Sequence, residues 1–320
     1  MLLIVSMEND FHVDYLIKKM TAFQRKNMIV FKTESFPMKS KLVLGSSIKE
    51  SYLKLDNNKI FLCDISSIWY RRSASPTISS LINNKDARKY AQHESQDALL
   101  ALWESINDCL WVSKPSNIRN ASHKYEQLLR AKSLGLNIPQ TLITNDPDEA
   151  RQFCYTVKTA VVKAVCRSVF LRGNKYEMAY TSPINYDDVR IRDVIFSPCI
   201  FQEYVPKQLE LRITVVKNEI FACAIYSQKS EKTKHDWRNY DLANTPHNVW
   251  SLPLEIEKKC LNLVRSYNLN FGAIDMIITP ENKYVFLELN PNGQWVWIEN
   301  LTNLPISKTL INLLFLNEKS

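Results

Sequence analysis

Three hard oxygen donors lie close together near the end of the chain. Asp275 sits in the apolar run FGAIDMII, and Glu288 and Asn290 end the run YVFLELN, which Pro291-Asn292-Gly293 breaks. If the two runs are antiparallel neighbours, Asp275 comes beside Glu288, and the period of two puts Glu288 and Asn290 on one face. Carboxylates at such places are costly unless paired or bound to metal. Oxygen donors on a rigid sheet suit Mg²⁺, which keeps waters and shares the phosphates of a nucleotide. The competing reading is polar strand ends that face solvent or cap a turn.

Basic residues upstream complete a candidate anion site. Lys163 stands inside TAVVKAV, where it reaches a phosphate or snorkels from a sheet edge. Glu210 and Arg212 are two apart and share a face, so Arg212 can offer its fork to a phosphate or carboxylate. Lys229, Lys234, His235 and Arg238 extend this polar group. An internal salt-bridge network is the alternative, and His235, among basic neighbours, reads as a lone exposed histidine.

Elements able to position these residues follow from periodicity. Leu2 to Ser6, a helix over His12 to Lys26 and Met28 to Lys32 make a β-α-β start. Strands at Ser51 to Leu55 and Lys59 to Leu62 flank an Asp56-Asn57-Asn58 turn, and Ile68-Trp69-Tyr70-Arg71-Arg72 ends the first sheet. A helix spans Ser79 to about Cys109, and Pro115 marks a junction. The next helix, Lys124 to Leu134, stops at Gly135. Strands are expected at Thr156 to Cys166, Glu177 to Thr181, Ile200 to Tyr204, Leu211 to Val216 and Ile220 to Tyr226. A helix at 254 to 267 precedes a final strand pair, Phe271 to Ile278 and Tyr284 to Leu289.

Composition narrows the classes. At 320 residues, with 45% hydrophobic and 23% charged, the chain reads as an ordinary soluble protein of two or three packed units. Five glycines are too few and too scattered for a glycine-fingerprint nucleotide site. The net charge of +8 favours an anionic partner, but no basic run or tail argues for nucleic acid. Seven dispersed cysteines lack CxxC or zinc spacing and read as reduced thiols of a cytoplasmic protein. The opening MLLIVS has no basic region before it and reads as a strand, not a signal peptide. No apolar stretch approaches the roughly 18 residues of a membrane span.

The order of strand lysine, QEY, ELR, basic loop, DM and ELN resembles the ATP-grasp ligases. More closely, the chain is similar to the ribosomal-peptide maturases of microviridin-like peptides, the graspetides. The stretches that carry this are IWYRR at 68–72, NASHKYEQLLRAKSLGLNIPQTLITNDPDEA at 120–150, VVKAV at 161–165 and FQEYVPKQLELRITVV at 201–216. KHDWR at 234–238 and FGAIDMIITPENKYVFLELNPNGQWVWIE at 271–299 complete them. The resemblance implies an α/β ATP-grasp fold with the nucleotide between two sheets. It divides into an N-terminal α/β pre-ATP-grasp domain (1–115), a small central domain (116–200) and a C-terminal ATP-grasp domain (201–320).

By the same resemblance, Lys124 and Lys163 contact the nucleotide phosphates. Glu203, with the backbone around Tyr204 and Val205, holds adenine, and Glu210 binds the ribose. Asp275, Glu288 and Asn290 carry two Mg²⁺ ions. Arg212 binds the transferring phosphoryl group, with Arg238 the weaker candidate. The chain departs from the pattern after Lys163, where CRSVFLRGNKYEM holds one glycine, so phosphate contact there falls to Arg167, Arg172 or Lys175.

The implied activity is ATP-dependent phosphorylation of Asp or Glu side chains in a ribosomal precursor peptide. Thr or Ser hydroxyls, or Lys amines, then close macrocyclic esters or amides. The partner would carry a leader and an acidic core, the leader contacting residues 116–200, where Arg192, Asp187, Asp188 and Asp193 offer polar groups or simply a solvated face. Homodimerisation fits this class, although the sequence shows no diagnostic interface stripe. A general amino-acid or glutamate ligase, or a non-catalytic peptide- or nucleic-acid-binding module, are the alternatives. Trp295 and Trp297 either pack beneath the site or shape its mouth.

Overall fold

The computed structural model describes residues 1–166, 169–173, 175–230 and 244–316. Its N-terminal part is a parallel sheet in the order Met28–Lys32, Leu2–Ser6, Ser67–Tyr70, Leu110–Val112. Leu2 to Val5 are fully buried because both faces of the sheet are covered. Leu2 and Ile4 meet Val13 and Leu16 of the helix Phe11–Lys19 together with the C-terminal helices Val296–Thr302 and Ile306–Leu314. Leu3 and Val5 point the other way, onto Leu99, Leu102 and Trp103 of the helix Lys85–Ser105. Ser67 Oγ donates to the Leu314 carbonyl at 2.7 Å, so the end of the chain returns to its beginning.

Several expected elements change in detail. The single helix foreseen over 12–26 is two, Phe11–Lys19 and Ala22–Lys26, because Thr21 and Gln24 form a capping box that starts a second helix. Ile68–Arg72 does not end the sheet, since Leu110–Val112 adds a further parallel strand after the long helix. That helix begins at Lys85, where Asn84 caps it, and not at Ser79. The Tyr52–Leu55 and Asn58–Phe61 hairpin turns through Asp56 at φ 51° and gains a third strand, Ser40–Val43.

The middle of the chain is an antiparallel sheet in the order Ser182–Ile184, Ala160–Lys163, Cys199–Glu203, Thr141–Thr144. The helix Pro147–Val157 and the 3₁₀ segment Val189–Phe196 pack on it through Ala150, Cys154, Ile191, Val194 and Phe201. Strand structure therefore starts at Ala160 and not Thr156: Asp146 caps a helix that runs to Val157, and Lys158 turns the chain at φ 66°. Val169–Arg172 and Lys175–Met178 form a separate two-stranded hairpin. The strand Cys199–Glu203 spans the 200/201 division drawn from sequence and pairs wholly within the central sheet.

A five-stranded antiparallel sheet follows, ordered His247–Trp250, Glu219–Ile225, Leu209–Val216, Phe271–Ile278, Tyr284–Asn290. The helices Leu254–Ser266 and Lys124–Ser133 join one face through Leu128, Ala131, Cys260, Leu263 and Val264. Among the described residues no helix is long and apolar enough to cross a membrane, and all seven cysteines are free thiols.

Between the N-terminal sheet and the C-terminal helices lies His12. Its Nε2 accepts from the Trp295 amide at 3.2 Å, so the ring is needed neutral. Burial, then the charge of Arg71, lowers its pKa from the ordinary 6.5 to about 3, against a smaller opposing pull from Asp10. A folded value below the unfolded one contributes stability that is complete above pH 6.5 and lost as the pH falls toward 3. His12→Gln, which keeps an acceptor but takes up no proton, should flatten acid denaturation across that window. Equal slopes for variant and wild type would show that His12 is not the group responsible.

Candidate nucleotide and metal site

Strand register assembles the centre of the site. Arg212 lies opposite Asp275, and Asp275 lies opposite Glu288, so three charged side chains form a row across three adjacent strands. Arg212 Nη1 donates to both Asp275 oxygens at 2.8 and 2.9 Å in a buried pair. Its Nη2 donates to the Gln294 carbonyl at 3.3 Å. Asn290 Nδ2 reaches Asp275 Oδ2 at 3.1 Å and Glu288 Oε1 at 3.2 Å, so the acidic trio converges as expected. The ladder shifts by a bulge between Asp275 and Met276, which re-aims the strand at this point.

The edge strand that carries Glu288 and Asn290 is held from outside by one helix. Gln127 donates to the Leu289 carbonyl at 2.8 Å and accepts from the Leu289 amide at 2.9 Å, acting as a strand partner for a single residue. One turn earlier, Lys124 Nζ lies 3.6 Å from Glu288 Oε2 and donates to the Ala164 carbonyl at 3.2 Å. The same helix thus ties the strand of Glu288 and Asn290 to the central sheet.

A cleft opens between the two sheets. Lys124, Lys163, Glu203, Tyr204, Val205, Glu210, Asp275 and Glu288, all expected from sequence, line it. Lys163 Nζ donates to Gln202 Oε1 at 2.9 Å, and Gln202 Nε2 donates to Thr141 Oγ1 at 2.8 Å. Glu203 Oε2 accepts from the Gln140 amide at 3.0 Å, and the Tyr204 amide donates to the Thr159 carbonyl at 2.9 Å. Glu210 pairs with buried Lys207 at 2.8 Å. Arg212 and Asn290 stand directly behind the lining through their bonds to Asp275.

Lys163 is neither a snorkelling edge residue nor an isolated charge, because its strand is flanked on both sides. Arg172 pairs with Glu177 on the hairpin at 3.3 Å. Arg238 and His235 lie outside the described residues, as does Arg167. Trp295 is core, edge-on to His12, whereas Trp297 is half-buried and edge-on to His247. Gln127, Gln202 and Lys207 were not singled out from sequence. The available signals were helical spacing of Gln127 from Lys124, and Lys207 three residues before Glu210.

The donor set fits Mg²⁺. Two carboxylates and one amide face one point, and Mg²⁺ takes few protein oxygens because water and phosphate complete its shell. The amide bonds from Asn290 to both carboxylates show that its tip reaches that point; turning the amide by half a turn presents its oxygen instead. Among the described residues no group of three or more His, Cys, Asp or Glu side chains forms a stand-alone metal site.

Two sheets closing on a cleft, with Lys163 and Glu203 from the central sheet and Lys124, Asp275 and Glu288 from the C-terminal sheet and its helix, define a nucleotide-dependent ligase of the ATP-grasp type. An MvdD pre-ATP grasp domain matches residues 1–119, and a RimK-like ATP-grasp domain matches residues 120–314. A RiPP-associated ATP-grasp ligase of Chryseobacterium gregarium, solved with ADP and a leader and core peptide, is 31% identical. It aligns over 100% of this chain and 97% of its own with a TM-score of 0.88. The macrocyclase MdnC of Microcystis aeruginosa MRC, solved with precursor peptide MdnA, is also 31% identical. That match covers 100% of both chains with a TM-score of 0.85. An uncharacterised curated protein of Methanocaldococcus jannaschii is 31% identical over 91 residues, 28% of this chain and 22% of that protein. The chain belongs to the RimK-like ATP-grasp ligases and carries an MvdD-type pre-ATP-grasp domain in front.

Gly293 sits at the tightest point behind the acidic trio. A Cβ there would collide with Ala273 Cβ and come within 2.7 Å of Arg212 Nη2. Gly293→Ala should destabilise the protein by about 1–3 kcal/mol through overpacking. An unchanged denaturation midpoint would mean that the turn yields without cost.

Proposed function

We propose that this chain phosphorylates Asp or Glu side chains of a ribosomally made precursor peptide. It then joins them to Thr or Ser hydroxyls or Lys amines, closing macrocyclic esters or amides. The observation that carries this reading is the Arg212–Asp275–Glu288 row, which faces Lys124 and Lys163 in a chain alignable end to end with peptide-modifying ligases.

A carboxylate is a poor acyl donor because its oxygen would leave as a strong base. Passing the γ-phosphoryl group of ATP to it gives an acyl phosphate and ADP. Attack by a hydroxyl or amine on the acyl carbon then expels phosphate, which carries away one carboxylate oxygen while the nucleophile gives up its proton. No enzyme nucleophile is needed, and Cys223 and Cys260, whose thiols burial pushes up to about 12, suit none.

In this reading Lys124 and Lys163 hold the phosphates, Gln202 steadies Lys163, and Glu203 with the Tyr204–Val205 backbone receives adenine. Glu210 takes the ribose hydroxyls, its carboxylate held by Lys207. Asp275, Glu288 and Asn290 would hold two Mg²⁺ ions, which supply charge neutralisation between the phosphates. Arg212 contributes fixed positive charge where negative charge develops, and Asp275 keeps its fork aimed. Arg238 remains the second candidate for the same anion.

Leader contact is assigned to the central region drawn as 116–200. There the segment Val189–Phe196 exposes Val189, Ile195 and Phe196, while Asp188 is already held by Arg190 at 2.6 Å and Arg192 reaches Asp193 at 3.4 Å. The net charge of +8 suits an acidic core. A cytoplasmic location, where ATP is made and seven thiols stay reduced, and a homodimer belong to the same reading.

The deciding experiment incubates the enzyme with ATP, Mg²⁺ and an acidic precursor peptide, ideally one encoded beside this gene, and weighs the product. Loss of one water per bond, only with ATP, is expected; ATP consumption with free amino acids and none with peptides would replace the peptide reading with general carboxylate ligation. Glu288→Gln should still bind ADP yet lose Mg²⁺-dependent turnover, and full activity would remove Glu288 from the metal set. Arg212→Lys keeps the buried charge but not the fork, and should slow turnover at saturating ATP by about 100-fold or more. Normal turnover at saturation would make Arg212 structural.

A further inference from the structure

The turn Pro291–Trp295 leaves the strand of Glu288 and Asn290 and enters the helix Val296–Thr302. Its peptide groups are gripped from two sides. From the ATP-grasp sheet, Arg212 Nη2 donates to the Gln294 carbonyl. From the N-terminal domain, Arg71 Nη1 donates to the Asn292 carbonyl at 2.7 Å and His12 Nε2 accepts from the Trp295 amide at 3.2 Å. Arg71 follows the strand Ser67–Tyr70, and His12 follows the strand Leu2–Ser6 by a short turn. Both arms therefore come from the carboxyl edge of the parallel sheet.

Arg71 is an expensive way to cap a turn. It is 2% exposed, and its Nε and Nη2 make no hydrogen bond among the described residues. Burial lowers its pKa to about 10, with Asp10 the charge that opposes the shift, so the guanidinium remains charged near neutrality. Asp10 is itself engaged by Ser6 Oγ at 3.0 Å and the His12 amide at 3.0 Å. A neutral side chain would hold one carbonyl without stripping water from idle donors. What Arg71 adds is reach and rigidity at a point two residues beyond Asn290. Between the arms Gly293 leaves no room for a side chain, since a Cβ there would collide with Ala273 and Arg212.

We propose that Arg71, assisted by His12, is a positioning residue for phosphoryl transfer, acting through the turn 291–295 on Arg212 and Asn290. The inference rests on the reading of Arg212 and Asn290 under Proposed function. The chain of contact runs from Arg71 to Asn292, along the turn to Gln294, and from there to Arg212 and its partner Asp275. Loosening the first contact lets Gln294 withdraw from Arg212, and the fork then keeps only its anchor on Asp275. Arg71 does not touch the nucleotide cleft, so ground-state binding of ATP is left intact. The pre-ATP-grasp domain is thereby given a task in the reaction centre beyond packing.

The test uses full-length Arg71→Lys, which keeps a charge but replaces the rigid guanidinium that reaches Asn292 with a shorter, flexible ammonium arm. Amide hydrogen exchange over 288–298 should rise while the rest of the chain stays protected. A displacement near 1 Å costs about 100-fold, so kcat should fall about 10- to 100-fold, with KM for ATP and the affinity for ADP within about two-fold. His12→Ala should loosen the same segment, and His12→Gln should restore the protection that the alanine variant loses. Unchanged exchange over 288–298, or loosened exchange with unchanged kcat, would overturn the proposal. So would a fall in ADP affinity and melting temperature that tracks kcat, which is the mark of a merely structural residue. Exchange needs no peptide: a wild-type enzyme that modifies no acidic peptide defeats the peptide reading alone, and the clamp is then decided by exchange over 288–298.

Discussion

The buried pair of Arg212 and Asp275 is the constraint around which the rest of the structure is arranged. Two opposite charges withdrawn from water are tolerated only with good geometry and further polar partners, since desolvation rivals their attraction. The structure supplies these conditions in turn. Adjacent antiparallel strands set the two residues opposite each other, so Arg212 Nη1 donates to both oxygens of the carboxylate. Asn290 adds a third hydrogen bond to Asp275, and the Gln294 carbonyl accepts from Nη2 of Arg212.

Holding that pair requires a strand edge that does not move and a turn that does not open. Gln127 provides the first by satisfying both backbone groups of Leu289, between the two outer members of the acidic trio. The second falls to the N-terminal domain, whose carboxyl strand ends face the turn after Asn290. The C-terminal helices close the arrangement by packing under the first sheet, which makes chain end and chain start one hydrophobic core. The wall that carries Asp275 and Glu288 is thus braced by the helix Lys124–Ser133 and by the N-terminal domain, and the central sheet forms the opposite wall of the cleft. That division suits a reaction in which one side grips a nucleotide and the other must aim charge.

The sequence reading foresaw which candidate residues the fold brings together better than it foresaw the elements that hold them. Asp275, Glu288 and Asn290 were legible because period-two strands and a Pro-Asn-Gly break announce which side chains share a face. Lys163 was noticeable as a charge inside an apolar run, and Glu210 because it shares a face with Arg212 two residues on. Gln127 escaped because a glutamine on a polar helix face carries no sign that it will be buried 162 residues away against Leu289. One helix start was misplaced, at Asn84, and the helices that open after Thr21 and Asp146 were missed, because a cap outweighs apolar spacing there. The strand Leu110–Val112 was missed because three residues are too few to show a period.

By itself the sequence determined the strands that carry the candidate residues, the face that Glu288 and Asn290 share, and a family resemblance that the comparisons bear out. These are local properties: alternation, capping and charge within an apolar run depend on neighbours a few residues away. Only tertiary structure decided that Arg212 faces Asp275 and Glu288, that Lys124 crosses to Glu288, and that Arg71 and His12 reach the turn beyond Asn290. Contacts between residues 63 to 283 positions apart depend on register and sheet order, and those are set by the packing of the whole core.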